Sequence, residues 1–130
     1  MNYNNTTLNI AIPSDGAIHE PTLNFLDSCG IAVLRPNSRK YTADMPTLPG
    51  VTVMFQRNSD ITGKVEDETA ALGIVGLDRF LELRQEGSNT DIVIEKLGFG
   101  RCELVVGVPD SWVDVTSLGD IGDLSMQFRE

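Results

Sequence analysis

The apolar residues of this chain fall into short runs and helical stripes, separated by polar or Gly- and Pro-rich stretches. Runs that end at Pro, Gly or a polar cluster are typical of buried strands, and they cover residues 8–13, 31–34, 51–56, 71–75, 92–97 and 101–109. Apolar spacings of three and four predict helices over residues 20–29, after residue 60, over 77–84, and from 118 to the end. This alternation predicts an α/β fold with a mostly parallel central sheet and flanking helices.

Residues typical of helix ends support these boundaries. Pro21 suits the first turn of the first helix, and Gly30 is a natural stop after it. Residues 35–49 contain three prolines and are predicted to form a long polar loop. The residues expected to cap the later helices are Asp60 and either Thr116 or Ser117.

Composition narrows the classes of ligand. The chain has 130 residues, 41% hydrophobic and 22% charged, which fits one globular domain. Ten basic residues against 19 acidic residues give a net charge of −9. A chain this acidic is a poor partner for nucleic acid or an anionic membrane surface. A phosphorylated small molecule would have to be bound by a few placed cations and backbone N–H groups.

The chain start and the cysteines favour a cytoplasmic protein. The N-terminal sequence MNYNNTTLN is polar and lacks the pattern of a signal peptide, and no apolar stretch is long enough to span a membrane. Cys29 and Cys102 match no metal-binding or C-x-x-C spacing, so we expect two free, buried thiols.

The first candidate site lies directly after the first predicted strand. Ser14, Asp15 and Gly16 stand where a strand end meets a helix start, a position that offers N–H groups to a phosphate or carboxylate. The carboxylate of Asp15 would repel a phosphate. An ordinary strand-to-helix turn is the alternative interpretation.

Basic residues form the second candidate site. Arg35, Arg39, Lys40 and Arg57 are four of only ten cations, and Arg57 directly follows a strand. Guanidinium groups suit bidentate contact with phosphate. On composition alone, solvated surface charges remain the alternative.

Gly76 and Asp78 form a third candidate site, at the end of another predicted strand. Asp78 could bind a ribose hydroxyl or an amino group, or it could be a helix-start acid favoured by the helix dipole. The nucleotide-binding patterns GxxxxGK[ST] and GxGxxG are absent. His19 is the only histidine, and we expect it at the surface of a helix start.

Four stretches together resemble the ATP phosphoribosyltransferase family of histidine biosynthesis: LNIAIPSDG, SRKYT, VTVMFQRNSDITGKVEDETAALGIVGLD and LGFGRCELVVGVP. They follow the family's order and spacing over most of residues 8–109. The most specific part runs from Arg57 to Asp78, where an arginine after a strand precedes an aspartate, a helix and the sequence LGIVGLD.

The resemblance implies a two-lobed fold like that of type II periplasmic binding proteins. Residues 1–109 would form the first lobe, and residues 110–130 the crossover and first helix of an incomplete second lobe. The implied reaction is Mg²⁺-dependent transfer of a phosphoribosyl group from phosphoribosyl pyrophosphate (PRPP) to N1 of ATP, with release of pyrophosphate. A homo-oligomer or a regulatory subunit is the implied partner.

By motif position, Arg39 and Arg57 resemble the family's active-site arginines. Gly76 and Asp78 resemble positions that line the ATP side of the cleft. Ser14, Asp15 and Gly16 correspond to the loop after the first strand, and the resemblance implies a role in substrate binding for them.

The chain departs from the family pattern in two places. The family often has Lys-Gly-Arg in the first loop, where this chain has Ser14-Asp15-Gly16-Ala17, and the family's PRPP loop would lie beyond Glu130. We therefore expect this chain alone to be inactive. The alternative is a non-catalytic lobe or regulatory paralogue that binds a nucleotide or an amino acid. The polar N-terminus disfavours a third interpretation, an exported solute-binding protein.

Overall fold

A four-stranded sheet forms the centre of the molecule. The computed structural model describes residues 7–35, 37, 39–103, 105, 107–114 and 116–127. The strands are β1 (Leu8–Pro13), β2 (Thr42–Asp44), β3 (Val51–Gln56) and β4 (Leu72–Gly73), in the spatial order β2-β3-β1-β4. β1 is parallel to both β3 and β4, and β2 pairs antiparallel with β3 at one edge. The predicted α/β class with a mostly parallel sheet is confirmed.

Four helices accompany these strands in the described part of the chain: α1 (His19–Ser28), α2 (Asn58–Glu66), α3 (Leu77–Leu83) and α4 (Leu118–Gln127). Gly30 has φ +79° just beyond α1, as expected of a helix stop. The predicted cap at Asp60 is wrong, because α2 begins at Asn58 and its N-cap is Arg57. Asp60 lies in the first turn instead.

Alternating side chains of the sheet build two cores on opposite faces. On one face, Ile12, Val53 and Phe55 pack with Leu26 of α1. On the other face, Ala11 packs with Ile61 of α2. Because neighbouring residues of a strand point to opposite faces, one pair of central strands serves both layers.

The segment between α1 and β3 differs from the prediction. Residues 31–34 form only one isolated bridge, from Leu34 to Asp44, and the predicted loop over 35–49 contains β2. β2 occupies the free edge of β3, which leaves Ile31 and Val33 to pack against the core rather than to extend the sheet. The strand predicted over 71–75 is shorter, because β4 covers only Leu72–Gly73.

The last two predicted strands, over 92–97 and 101–109, are wrong for the described residues, which contain no strand after β4. Gly98 and Gly100 have φ +88° and +73°, which turns the backbone out of the extended region. Phe99 packs against Phe25 of α1 with ring centroids 5.8 Å apart. β-Propensity stabilises a strand only where the strand has paired neighbours and buried side chains. This segment packs against α1 instead of pairing with the sheet. Residues 104 and 106 lie outside the described residues.

The cysteine prediction is half correct. Cys29 and Cys102 are free, as expected, but both are exposed rather than buried. Cys29 is the C-cap of α1, where the chain turns at the surface. No helix among the described residues has the length and apolar character that crossing a bilayer needs.

Candidate active site

The carboxyl ends of β1 and β3 open a crevice in the sheet. The chain leaves β1 toward α1 on one face and leaves β3 toward α2 on the other face. Two adjacent parallel strands whose following helices lie on opposite faces mark a topological switch point, where open α/β sheets bind their ligands. The fold thus places a candidate site between the residues that follow Pro13 and those that follow Gln56.

A small pocket of about 450 Å³ lies at this crevice. Its lining residues follow the two strands or face their ends: Ser14, Asp15, Tyr41, Phe55, Gln56, Arg57 and Asp60. Among these residues Arg57 is the only Lys or Arg, and it stands with two carboxylates, Asp15 and Asp60. The pocket combines one guanidinium with hydroxyl, amide and carboxylate groups, a set suited to a phosphorylated ligand that carries a cation.

The turn after β1 is held against β3. The backbone N–H of Ser14 donates to the carbonyl oxygen of Gln56 at 2.8 Å, which continues the parallel ladder by one residue. Gly16 has φ +82°, a conformation that favours glycine and lets the chain turn into α1. Ser14 and Asp15 therefore reach the pocket, whereas Gly16 shapes the turn and does not line it.

His19 stands at the start of α1, as predicted, but it is half-buried rather than at the surface. Its Nδ1 lies 2.6 Å from the carbonyl oxygen of Pro13. Because a carbonyl oxygen only accepts, Nδ1 carries the hydrogen and donates a hydrogen bond to that oxygen. Its ring also contacts the ring of Phe55 at 6.1 Å between centroids. The histidine joins the end of β1 to the wall of the pocket.

Arg39 and Arg57 do not occupy equivalent places. Arg57 lines the small pocket, while Arg39 lies in an exposed turn two residues before the pocket residue Tyr41. The backbone N–H of Arg39 donates to Oδ1 of Asn37 at 2.9 Å. The structure thus brings Arg57 together with Ser14 and Asp15 and leaves Arg39 beside the pocket rather than in it.

Gly76 and Asp78 line a second, larger pocket of about 1440 Å³ between α2, β4, α3 and the segment after α3. A hydrogen bond joins the start of α2 to the start of α3, where Oδ1 of Asn58, the residue after Arg57, accepts from the N–H of Gly76 at 3.0 Å. Of the predicted site residues, Ser14, Asp15 and Arg57 therefore line the small pocket and Gly76 and Asp78 line the larger one. Gly16 and Arg39 line neither.

Sequence reasoning missed four residues of the small pocket, Tyr41, Phe55, Gln56 and Asp60. Gln56 could have been found, because it ends a parallel strand next to Arg57. Asp60 was assigned to a cap, and its place in the pocket follows from the start of α2 two residues earlier. The sequence around Tyr41 does not predict its place in the pocket, because that place depends on the pairing of β2 with β3.

Metal-binding groups are sparse. No cluster of three or more His, Cys, Asp or Glu side chains suited to a metal ion occurs within the described ranges. Asp15 and Asp60 supply the carboxylates of the small pocket.

Comparison with known proteins points to one family. The family model "HisG: ATP phosphoribosyltransferase" matches residues 57–127. The chain is 34% identical over 124 residues to ATP phosphoribosyltransferase of Mesorhizobium japonicum, covering 95% of this chain and 53% of the relative. It is 34% identical over 125 residues to the chloroplastic ATP phosphoribosyltransferase 1 of Arabidopsis thaliana, covering 95% of this chain and 30% of that protein.

A solved complex of Thermotoga maritima, ATP phosphoribosyl transferase (HisG:HisZ), matches 58% of this chain and 35% of its own chain at 22% identity, with a TM-score of 0.47. The chain spans about half the length of the bacterial relatives that it matches, with 53% and 54% for two of them. The family model covers more than half of the chain and includes Arg57, Gly76 and Asp78. The chain accordingly belongs to the ATP phosphoribosyltransferase family.

Proposed function

We propose that this chain is the first-lobe portion of an ATP phosphoribosyltransferase, which transfers phosphoribosyl from PRPP to N1 of ATP and releases pyrophosphate. The observation that carries the proposal is the small pocket, where Arg57 meets the turn after β1 at a switch point of the sheet. Family membership supplies the reaction, and the pocket supplies a place for charged substrates.

The proposed lobes follow from the same family. Residues 1–109 would form the first lobe of a type II periplasmic-binding-protein-like fold, and residues 110–130 would begin the second. The mostly parallel sheet with a core on each face supports this arrangement.

In the proposed reaction, N1 of ATP forms a bond to C1 of the ribose while the bond from C1 to the pyrophosphate oxygen breaks. The electron pair of that bond leaves with pyrophosphate, where negative charge grows. Arg57 is our candidate for stabilising this charge, because a fixed guanidinium lowers the barrier when it contacts the transition state more strongly than the ground state. Arg39 is the second candidate, reaching the same substrate from the adjacent turn.

The remaining predicted residues are assigned to substrate binding. Ser14, Asp15 and Gly16 would contact or shape the phosphate end of the pocket, and Gly76 and Asp78 would line the ATP side. The hydrogen bond from Gly76 to Asn58 supports this division, because it connects the larger pocket to the residue next to Arg57.

The two carboxylates of the small pocket support binding of a Mg²⁺ ion that arrives with PRPP or ATP. Carboxylate oxygens are preferred Mg²⁺ ligands, and the ion commonly combines one or two of them with substrate phosphates. Asp15 and Asp60 would hold the ion on the protein side. When bound, Mg²⁺ would supply charge neutralisation for the phosphates. The two carboxylates, which alone would repel phosphate, would then favour the substrate.

A non-catalytic nucleotide- or amino-acid-binding lobe, or a regulatory paralogue, is the second candidate function. The observation that favours it is the first loop, where Ser14, Asp15, Gly16 and Ala17 include no cation. In either case a homo-oligomer or a regulatory subunit is the proposed partner. ATP and PRPP as substrates favour a cytoplasmic location.

The test measures both turnover and binding. The chain is incubated with ATP, PRPP and Mg²⁺ while phosphoribosyl-ATP is followed, and the binding of ATP and of PRPP is measured by calorimetry in parallel. The proposal expects ATP binding that weakens in Asp78→Asn. Product formation would show that residues 1–130 hold both substrates. Absence of ATP and PRPP binding would contradict both candidate functions in their nucleotide form.

A further inference from the structure

We propose that Arg35 is a positioning residue that holds the turn carrying Arg39, Lys40 and Tyr41 against the small pocket. Its guanidinium carbon lies 4.1 Å from the centroid of the Phe55 ring, and its Nε donates to the carbonyl oxygen of Lys40 at 2.9 Å. One side chain thus contacts a wall of the pocket and the backbone of the turn beside it. The inference rests on the proposed function only for what the pocket binds.

Phe55 is a rigid platform for this contact. Its side chain is 1% exposed, and its ring also contacts His19, whose Nδ1 donates to the end of β1. A guanidinium stacked on an aromatic face gains from attraction to the ring, more so when the ring is well buried. Arg35 is therefore anchored on the part of the sheet that forms the crevice.

The backbone attaches the next residue to the same platform. The N–H of Phe55 donates to the carbonyl oxygen of Tyr41 at 2.7 Å, directly after the Lys40 carbonyl that Arg35 binds. Within the turn, the N–H of Lys40 donates to the Asn37 carbonyl at 3.2 Å. That bond closes the turn on itself. The bonds from Arg35 and Phe55 fix its position relative to the sheet.

This arrangement separates Arg35 from the residues that contact ligand. Arg35 is half-buried and does not line the small pocket, whereas Tyr41 does. Lysine could provide the charge over the ring or the hydrogen bond to the carbonyl, but its single ammonium group lacks the planar fork that allows both at once.

Trypsin provides a readout specific to this turn. It cleaves after Arg39 and Lys40, but not after residue 35, because Pro36 follows. Arg35→Met and Arg35→Lys therefore leave the set of cleavage sites unchanged. For Arg35→Met we expect cleavage after Arg39 and Lys40 to rise about fivefold, the factor that corresponds to one net hydrogen bond of about 1 kcal/mol. The cleavage rate of Arg35→Lys should lie between the rates of Arg35→Met and wild type.

Cleavage after Arg79 and Arg84, at α3, is the internal control for general unfolding. An unchanged rate at Arg39 and Lys40 in Arg35→Met, or an equal rise at α3, overturns the proposal. Calorimetry with inorganic pyrophosphate adds the link to the site, and we expect weaker binding in Arg35→Met than in wild type. Pyrophosphate binding that is unchanged despite faster cleavage also overturns the positioning role. If wild type binds no pyrophosphate, the proposed phosphate site fails, and the cleavage pattern alone decides the role of Arg35.

Discussion

The side-chain oxygen of Asn58 accepts a hydrogen bond from the backbone N–H of Gly76 at 3.0 Å, across 18 residues of sequence. The bond joins the first residue of α2 to the N-cap of α3. Because Arg57 lines one pocket and Gly76 the other, this contact fixes the geometry between the two halves of the candidate site.

Gly76→Ala tests whether that junction serves binding more than stability. A Cβ at this position would lie 2.6 Å from Oδ1 of Asp78 and 3.3 Å from Nδ2 of Asn58. The backbone φ of −61° suits alanine, and a flexible side chain can move, so the free energy of unfolding should change by less than about 1 kcal/mol. Moving Asp78 should weaken ATP binding by about tenfold, or about 1.4 kcal/mol.

Calorimetry with ATP and a urea titration measure the two effects. Gly107→Ala is the control, because nothing lies within 4 Å of its added Cβ. A large loss of stability in Gly76→Ala, with ATP affinity unchanged, would assign this glycine to packing alone.

Gly73→Ala should destabilise the fold where α2 crosses the sheet. An added Cβ would lie 2.7 Å from Cγ2 of Ile61 and 3.0 Å from Cγ2 of Val65, both on the packed face of α2. Overpacking of this kind costs about 1–3 kcal/mol. The matched variant Gly63→Ala lies inside α2 with nothing within 4 Å, and it should stabilise by about 0.5–1 kcal/mol through helix propensity. Urea unfolding of both variants checks the opposite signs, and a shared sign would contradict this packing.

Two buried threonines should respond in opposite ways to valine. Thr22 and Thr62 are 0% and 2% exposed, and the Thr22 hydroxyl donates to the carbonyl oxygen of Ile18 at 2.6 Å. The Thr62 hydroxyl has no hydrogen-bond partner within the described residues. Thr22→Val should therefore destabilise by about 1 kcal/mol, and Thr62→Val should be neutral or stabilising by up to about 1 kcal/mol. Thermal unfolding measures both changes in stability. Equal losses of stability would mean that the Thr62 hydroxyl has a hydrogen-bond partner that the described residues do not show.

The start of α4 should depend on pH through Asp120. Its carboxylate accepts hydrogen bonds from the N–H groups of Thr116 and Ser117 at 2.9 and 3.0 Å. The pKa of Asp120 lies below its usual range, chiefly because of the backbone hydrogen bond from Thr116. The hydrogen bond from the Ser117 hydroxyl is the second cause. A lowered pKa means that the stabilisation is fully present above about pH 4 and is lost as the pH falls through the lowered value.

NMR chemical shifts of α4 residues, followed from neutral to acid pH, measure this effect. Asp120→Asn should reduce helicity at neutral pH and match wild type once the carboxyl is protonated. A constant difference at all pH values would show that the charge has no role. The Ser117 hydroxyl oxygen accepts from the Asp120 N–H at 3.4 Å, which completes the predicted cap.

Arg57→Gln should remove the main cation of the small pocket. We expect pyrophosphate binding to weaken by at least about tenfold, since a charge-assisted contact contributes about 1.5–3 kcal/mol. Arg79→Gln is the control for net charge, because Arg79 lies on α3 in an exposed pair with Glu82 at 3.6 Å. Calorimetry measures the pyrophosphate affinity of both variants. Equal losses of affinity in the two variants would mean that Arg57 acts only through long-range charge on a chain of net charge −9.

Features that depend on neighbouring residues could be predicted from the amino-acid sequence. β1 and β3 have the bounds that apolar periodicity predicted, and α1 begins and ends one residue earlier than predicted, before Gly30. Ser117, one of the two predicted caps of the last helix, accepts the capping hydrogen bond. The family followed from motif order, and the most specific stretch, residues 57–78, lies within the matched segment.

Which segments pair and which side chains meet could not be predicted in this way, because both depend on the folded arrangement of the whole chain. Residues 92–97 have the composition of a strand, yet Val93 and Ile94 are 79% and 62% exposed, and the chain then turns at Gly98 and packs Phe99 on α1. Tyr41 reaches the small pocket because β2 pairs back onto β3. Pairing and pocket formation depend on contacts between residues far apart in sequence. Local propensity is nearly the same whether or not such contacts form, so it could not distinguish these outcomes.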